Sequence, residues 1–196
     1  FSTMNQHIED AVLSFLANHA DNYKEFFAHS WPQRPINHVL KSLSERGIQT
    51  TALHVLRAID RLHTAGAFDQ HPPPPIYLLP FIEICHGCNG KLLAGEVSTL
   101  DILGHPDGTS DQAILVKGVC SHCNIVYSYD SMRVDGDLWR LSQPRPFMVV
   151  TTKSVVHRKA IEDTQIRLTL QFSSFVTQGE ILGVPRKILK KAVYLD

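Results

Sequence analysis

The sequence predicts an α+β protein: an N-terminal helical bundle, then a zinc β-ribbon-like module, then C-terminal helices. Three observations carry this expectation. Apolar residues recur at helical spacing from Ile8 to Leu62; a run of four prolines, Pro72 to Pro75, breaks the pattern; and all four cysteines fall in two CxxC pairs, Cys85-His-Gly-Cys88 and Cys120-Ser-His-Cys123, separated by 31 residues. The prolines divide the chain into 1–71, a linker at 72–75, a β-rich zinc-binding module at 76–153 and a C-terminal helical segment at 154–196.

In the first segment Ile8, Ala11, Val12, Phe15 and Leu16 form one helical stripe, and Tyr23, Phe26 and Phe27 form a shorter one. Pro32 and Pro35 interrupt, and Ile36, Val39, Leu40 and Leu43 resume the period until Gly47 stops it. Thr50 or Thr51 can cap a further helix, whose Leu53, Leu56, Ile59 and Leu62 face a core before Gly66 ends it. Three short helices followed by an extended segment also fit a winged-helix outline. Its recognition helix, 51–65, would show Arg57, Arg61, His54 and His63, a thin basic face that favours packing over groove reading.

Beyond the prolines, Ile76 to Ile84 reads as a strand leading into the first CxxC turn. Lys91 to Leu100 and Ala113 to Val119 are β-like and are joined by the turn-rich Gly104-His105-Pro106-Asp107-Gly108. Ile125 to Tyr129 and Leu138 to Leu141 supply further strands. From Phe147 a last strand runs into Ser154, and a helix follows with an imperfect apolar face and a bend at 169–174.

Two thiolates on one tight turn reach one ion, so two CxxC turns supply a closed tetrahedral zinc site with Cys85, Cys88, Cys120 and Cys123 as ligands. Gly87 and Gly90 suit a knuckle that needs positive φ, which favours the first turn over the second. Two disulfides would need an oxidising compartment, whereas the chain shows no signal-peptide hydrophobic stretch and is long enough to hold a core without staples. A thioredoxin-like redox pair would need a βαβ context, and none is visible. His86, His105 and His122 are alternative ligands, but four sulfurs already fill the sphere.

At 196 residues with 43% hydrophobic content the chain is long enough for one large or two small domains, and no apolar run reaches a membrane span. Formal net charge is zero but uneven: −1 over 1–75, −3 over 76–150 and +4 over 151–196. The positive end, with Arg158, Lys159 and the cluster Arg186, Lys187, Lys190 and Lys191, is where phosphate would be met, with Arg57 and Arg61 of the helix at 51–65 as further candidate contacts. HExxH, GxxxxGK[ST], GxSxG and GxGxxG are all missing from the sequence, and a closed sulfur sphere leaves no open metal position, so neither catalysis nor a small-molecule substrate is expected.

The CxxC behind an apolar strand, the His-Pro-Asp-Gly turn, the second CxxC with Tyr127 and Tyr129 after it, and the strand Phe-Met-Val-Val-Thr-Thr-Lys-Ser-Val-Val at 147–156 together resemble the cysteine-cluster domains associated with KDZ transposases. The resemblance covers about residues 76–183. It implies that the four cysteines ligate zinc, that an RNase H-like catalytic domain lies beyond this segment, and that the segment is an accessory or target-binding part of a nuclear protein. Two functions follow as expectations: a zinc-stabilised DNA-binding module, or a zinc-stabilised module that binds a protein partner.

Overall fold

The computed structural model describes residues 2–18, 20–26, 31–68, 75–104, 112–141 and 145–170. Pro72 to Pro74, the turn at 105–108, the expected bend beyond residue 170, and Arg186, Lys187, Lys190 and Lys191 lie outside the described residues. The elements are α1 (Ser2–Asn18), α2 (Ala20–Phe26), α3 (Gln33–Glu45), α4 (Ala52–Thr64), β1 (Ile76–Leu78), β2 (Leu93–Leu103), β3 (Gln112–Val119), β4 (Val126–Tyr127), β5 (Ser131–Val134), β6 (Asp137–Arg140), β7 (Phe147–Val149), β8 (Ser154–His157) and α5 (Arg158–Leu170). No described helix is long and apolar enough to cross a membrane.

Both helix stops read from glycine are Schellman caps. Gly47 and Gly66 have φ of 76° and 78°. At the first, Gly47 N donates to Ser44 O and Ile48 N reaches back to Leu43 O; at the second, Gly66 N donates to His63 O and Ala67 N to Leu62 O. Only glycine enters this left-handed position without a Cβ penalty, so the chain turns sharply where the apolar period ends.

The expected succession of a bundle followed by a small ribbon is not what forms. The strands make one mixed eight-stranded sheet in the order β6-β5-β4-β3-β2-β8-β7, with β1 added alongside β3. Two features overturn the ribbon. First, β2 runs to Leu103, and its last residues pair in parallel with β8, Asp101 with Ser154 and Leu103 with Val156. Second, Ser154–His157, expected to open a helix, is itself a strand, paired antiparallel with β7. Val155 and Val156 are fully buried there, and β-branched residues lose rotamer freedom in a helix but suit a covered pleat.

The helices do not make a separate core either. One continuous cluster joins Ile8, Val12 and Leu16 of α1, Ile36, Val39 and Leu43 of α3, and Leu53, Leu56 and Ile59 of α4 to Leu79, Leu92, Ile114, Val116, Cys85, Cys120 and Tyr127 of the strand and knuckle region. The three helical stripes thus find their apolar partner in the sheet rather than only in each other.

By compactness the chain divides into one unit of 1–97 and 114–139 and another of 98–113 and 140–196, so β2 and β3 contribute to both. The second unit holds its own small core of Met148, Val150, Val156, Ala160 and Ile161, closed by Leu103. In α5 the buried Thr164 hydroxyl donates to Ala160 O at 2.7 Å, satisfying itself within the helix.

Candidate metal centre

Each CxxC sits in a tight reversal between paired segments. The first is flanked by the bridge between Ile84 and Lys91, the second by Val119 of β3 opposite Val126 of β4. Inside each, the amide of the residue after the second cysteine returns to the first cysteine's carbonyl: Asn89 N to Cys85 O at 2.8 Å, and Asn124 N to Cys120 O at 3.0 Å. The first cysteine's own amide then closes the turn, Cys85 N to Gly90 O at 2.8 Å and Cys120 N to Ile125 O at 3.1 Å.

The positive φ expected at glycine falls on asparagine instead: Asn89 at 57° and Asn124 at 53°. Asparagine is among the few non-glycine residues that visit this region readily. Room is tight at Gly90, whereas a Cβ at Gly87 would make only ordinary contacts. A Cβ at Gly90 would lie 3.2 Å from Cys88 Sγ, and one at Gly87 would lie 3.5 Å from Cys123 Sγ. The two knuckles are therefore equivalent in backbone, and the shared Cys-x-x-Cys-Asn string was the signal that sequence reasoning passed over.

The two turns bring all four sulfurs within 4.8 Å of one another, with Cys88 Sγ and Cys120 Sγ 3.4 Å apart. All four are thiols rather than disulfides. Zinc–sulfur bonds of ~2.3 Å in a tetrahedron require sulfur–sulfur edges of about 3.8 Å, which this spacing accommodates. Among the described residues this is the one cluster of three or more potential metal ligands, and it could hold a metal ion such as zinc. Cys85 and Cys120 are fully buried, Cys123 is half-buried and Cys88 is exposed.

Four thiols at this distance cannot all ionise unless a cation joins them. Burial works against the Cys85 thiolate, but hydrogen bonds from Tyr127 and from the amides of Gly87 and Cys88 prevail and bring it down to about 6. Cys123 is pushed up to about 12, first by the neighbouring Cys88 thiol and then by burial. At Cys88 the Gly90 amide favours the thiolate, yet the Cys120 thiol beside it leaves the balance raised. A divalent ion would resolve this conflict by neutralising the thiolates together.

The first knuckle is anchored to α4. Arg57 donates to the carbonyls of Pro80 and Ile82 and lies 3.4 Å from Glu83. His54 Nε2 approaches the same carboxylate at 3.5 Å, while its Nδ1 meets the Thr51 hydroxyl at 2.7 Å. Thr51 occupies the N-cap of α4, but its hydroxyl is spent on His54 rather than on a backbone amide.

Of the eight basic residues read as phosphate contacts, Arg57 is engaged as described and Arg61 pairs with Glu9 at 2.7 Å. Arg158 donates from Nε to Arg145 O at 3.0 Å, Lys159 is exposed on α5, and the other four lie outside the described residues. His86 and His122 lie within the knuckles; His86 bonds to Tyr127. No protein-family model, curated protein or solved structure matches this chain, so the likeness to the KDZ-associated cysteine clusters rests on its sequence motifs.

Proposed function

We propose that this chain is a non-catalytic recognition module of a transposase-like protein, shaped by one structural zinc ion and directed at DNA. The observation that carries the zinc is the closed set of four sulfurs on two equivalent knuckles, whose first cysteines, Cys85 and Cys120, are part of the main core. Four thiolates fill a tetrahedron, which suits a structural rather than a catalytic ion. Arg57 and Arg61 are committed within the protein, so DNA contact falls to the basic C-terminal stretch, Lys159 and the cluster at 186–191. A DNA partner would place the protein in the nucleus.

One observation favours a protein partner instead. β6 is an edge strand exposed along its length, and Leu138 and Trp139 stand 54% and 58% exposed on it. Such an edge suits strand addition by a partner peptide.

The deciding experiment loads the chain with zinc, counts the bound metal, and titrates it against labelled duplex and single-stranded DNA at two salt concentrations. One zinc per chain with steeply salt-dependent binding supports the DNA reading. One zinc with no binding at low salt replaces it with the protein reading, and no bound zinc overturns the structural ion.

A further inference from the structure

Tyr127 is fully buried, yet its hydroxyl is bonded to both Cys85 Sγ, at 3.3 Å, and His86 Nδ1, at 2.7 Å. Its ring is clamped by edge contacts with Phe81 and with His86, both at 5.7 Å between centroids. Tyr127 lies on β4, the strand leaving the second knuckle, while Cys85 and His86 belong to the first. The hydroxyl is thus a crosswise tie from one knuckle to a sulfur of the other.

A phenol has one proton to give. If Cys85 ligates a metal it is a thiolate and has no proton of its own, so the hydrogen bond to sulfur must come from the Tyr127 hydroxyl. The bond between Tyr127 and His86 must then run the other way, from a protonated Nδ1 to the phenol oxygen. This fixes a chain from His86 Nδ1–H to Tyr127 oxygen, and from Tyr127 O–H to Cys85 sulfur.

We propose that Tyr127 is the outer-shell positioning residue of the metal centre, orienting Cys85 and drawing off part of its charge, with His86 supporting it by donating from Nδ1. The proposal rests on the zinc reading above. It sets Cys85 apart from Cys88, which is exposed and whose partners are the Gly90 amide and neighbouring thiols rather than a hydroxyl. Outer-shell donors of this kind typically govern ligand orientation and metal affinity.

Tyr127→Phe removes the hydroxyl and keeps the ring and its edge contacts. In the full chain, zinc affinity measured by chelator competition should fall roughly 10- to 100-fold. The thiolate-to-metal charge-transfer band of the cobalt(II)-loaded chain should shift, because one thiolate has lost its donor. The unmutated zinc-loaded chain supplies a measurement that does not depend on how the variant folds: nitrogen-15 NMR should show a proton on His86 Nδ1. A wild-type chain that binds zinc, paired with a Tyr127→Phe chain of equal affinity and an unshifted cobalt band, overturns the proposal and leaves the zinc centre standing. His86 protonated at Nε2 alone does the same. A wild-type chain that binds no zinc overturns the zinc reading itself and this inference with it.

Discussion

Asn89 and Asn124 hold corresponding places in the two knuckles. Each follows the second cysteine, each has positive φ, and each returns its amide to the carbonyl of the first cysteine, at 2.8 and 3.0 Å. Asn89→Ala and Asn124→Ala should each cost about 1 kcal/mol in urea unfolding of the zinc-loaded chain, while the glycine replacements should be close to neutral. Equal stability of the alanine and glycine variants would show that the left-handed turn is not what the asparagines supply.

Zinc binding should release protons. With Cys123 raised to about 12 and Cys88 also raised, both are protonated at neutral pH in the metal-free chain, whereas Cys85 at about 6 is already ionised. The loaded form therefore holds fewer protons, and zinc affinity should fall as pH is lowered. Calorimetry in buffers of different ionisation enthalpy measures the protons released, and a count of zero contradicts the thiol assignment.

His54 is held below its ordinary 6.5, first by burial and then by the charges of Arg57, Lys91 and Arg61, against the opposing pull of Glu83. The unfolded chain takes up this proton before the folded one does, so the stability linked to His54 is complete above 6.5 and drains away as pH falls through the lowered folded value. His54→Gln should flatten the acid side of the stability profile relative to wild type. A variant as steep as wild type below 6.5 would assign the acid loss to other groups.

Gly118 lies where β3 comes close to the chain on either side of the first knuckle. A Cβ there would meet Pro80 Cγ at 2.9 Å and Leu92 Cδ1 at 3.1 Å. Gly118→Ala should destabilise by roughly 1–3 kcal/mol through overpacking. Gly95→Ala, whose Cβ would reach Val119 Cγ2 at 2.6 Å, should act in the same direction. Denaturant midpoints indistinguishable from wild type would mean that the strands yield freely at both places.

Arg57 and the basic tail should separate in their effects. Arg57→Ala breaks bonds to Pro80 O, Ile82 O and Glu83 and should lower stability by roughly 1.5–3 kcal/mol, with the salt slope of DNA binding unchanged. Replacing Arg186, Lys187, Lys190 and Lys191 by alanine should do the reverse, leaving the thermal midpoint in place and shrinking the slope. A reduced slope in Arg57→Ala would restore α4 as a phosphate contact.

Spacing and period along the chain carry the local chemistry. Cys85, Cys88, Cys120 and Cys123 announce themselves by spacing, because two ligands on a turn of fixed length have few alternatives. The apolar stripes of α1, α3 and α4 are equally plain, since helical period is a local property, and Gly47 and Gly66 end α3 and α4 for a backbone reason that needs no neighbours. Which segments pair with which is settled by contacts between distant parts of the chain. Val155 and Val156 read as the start of a helix until β2 offers them a parallel edge, and Arg57 reads as a phosphate contact until Pro80, Ile82 and Glu83 come to lie beside it. The tie from Tyr127 to Cys85 spans 42 residues and leaves no periodic trace. Long-range pairing depends on surfaces that exist only once the chain has folded, so it cannot be read from any short stretch of residues.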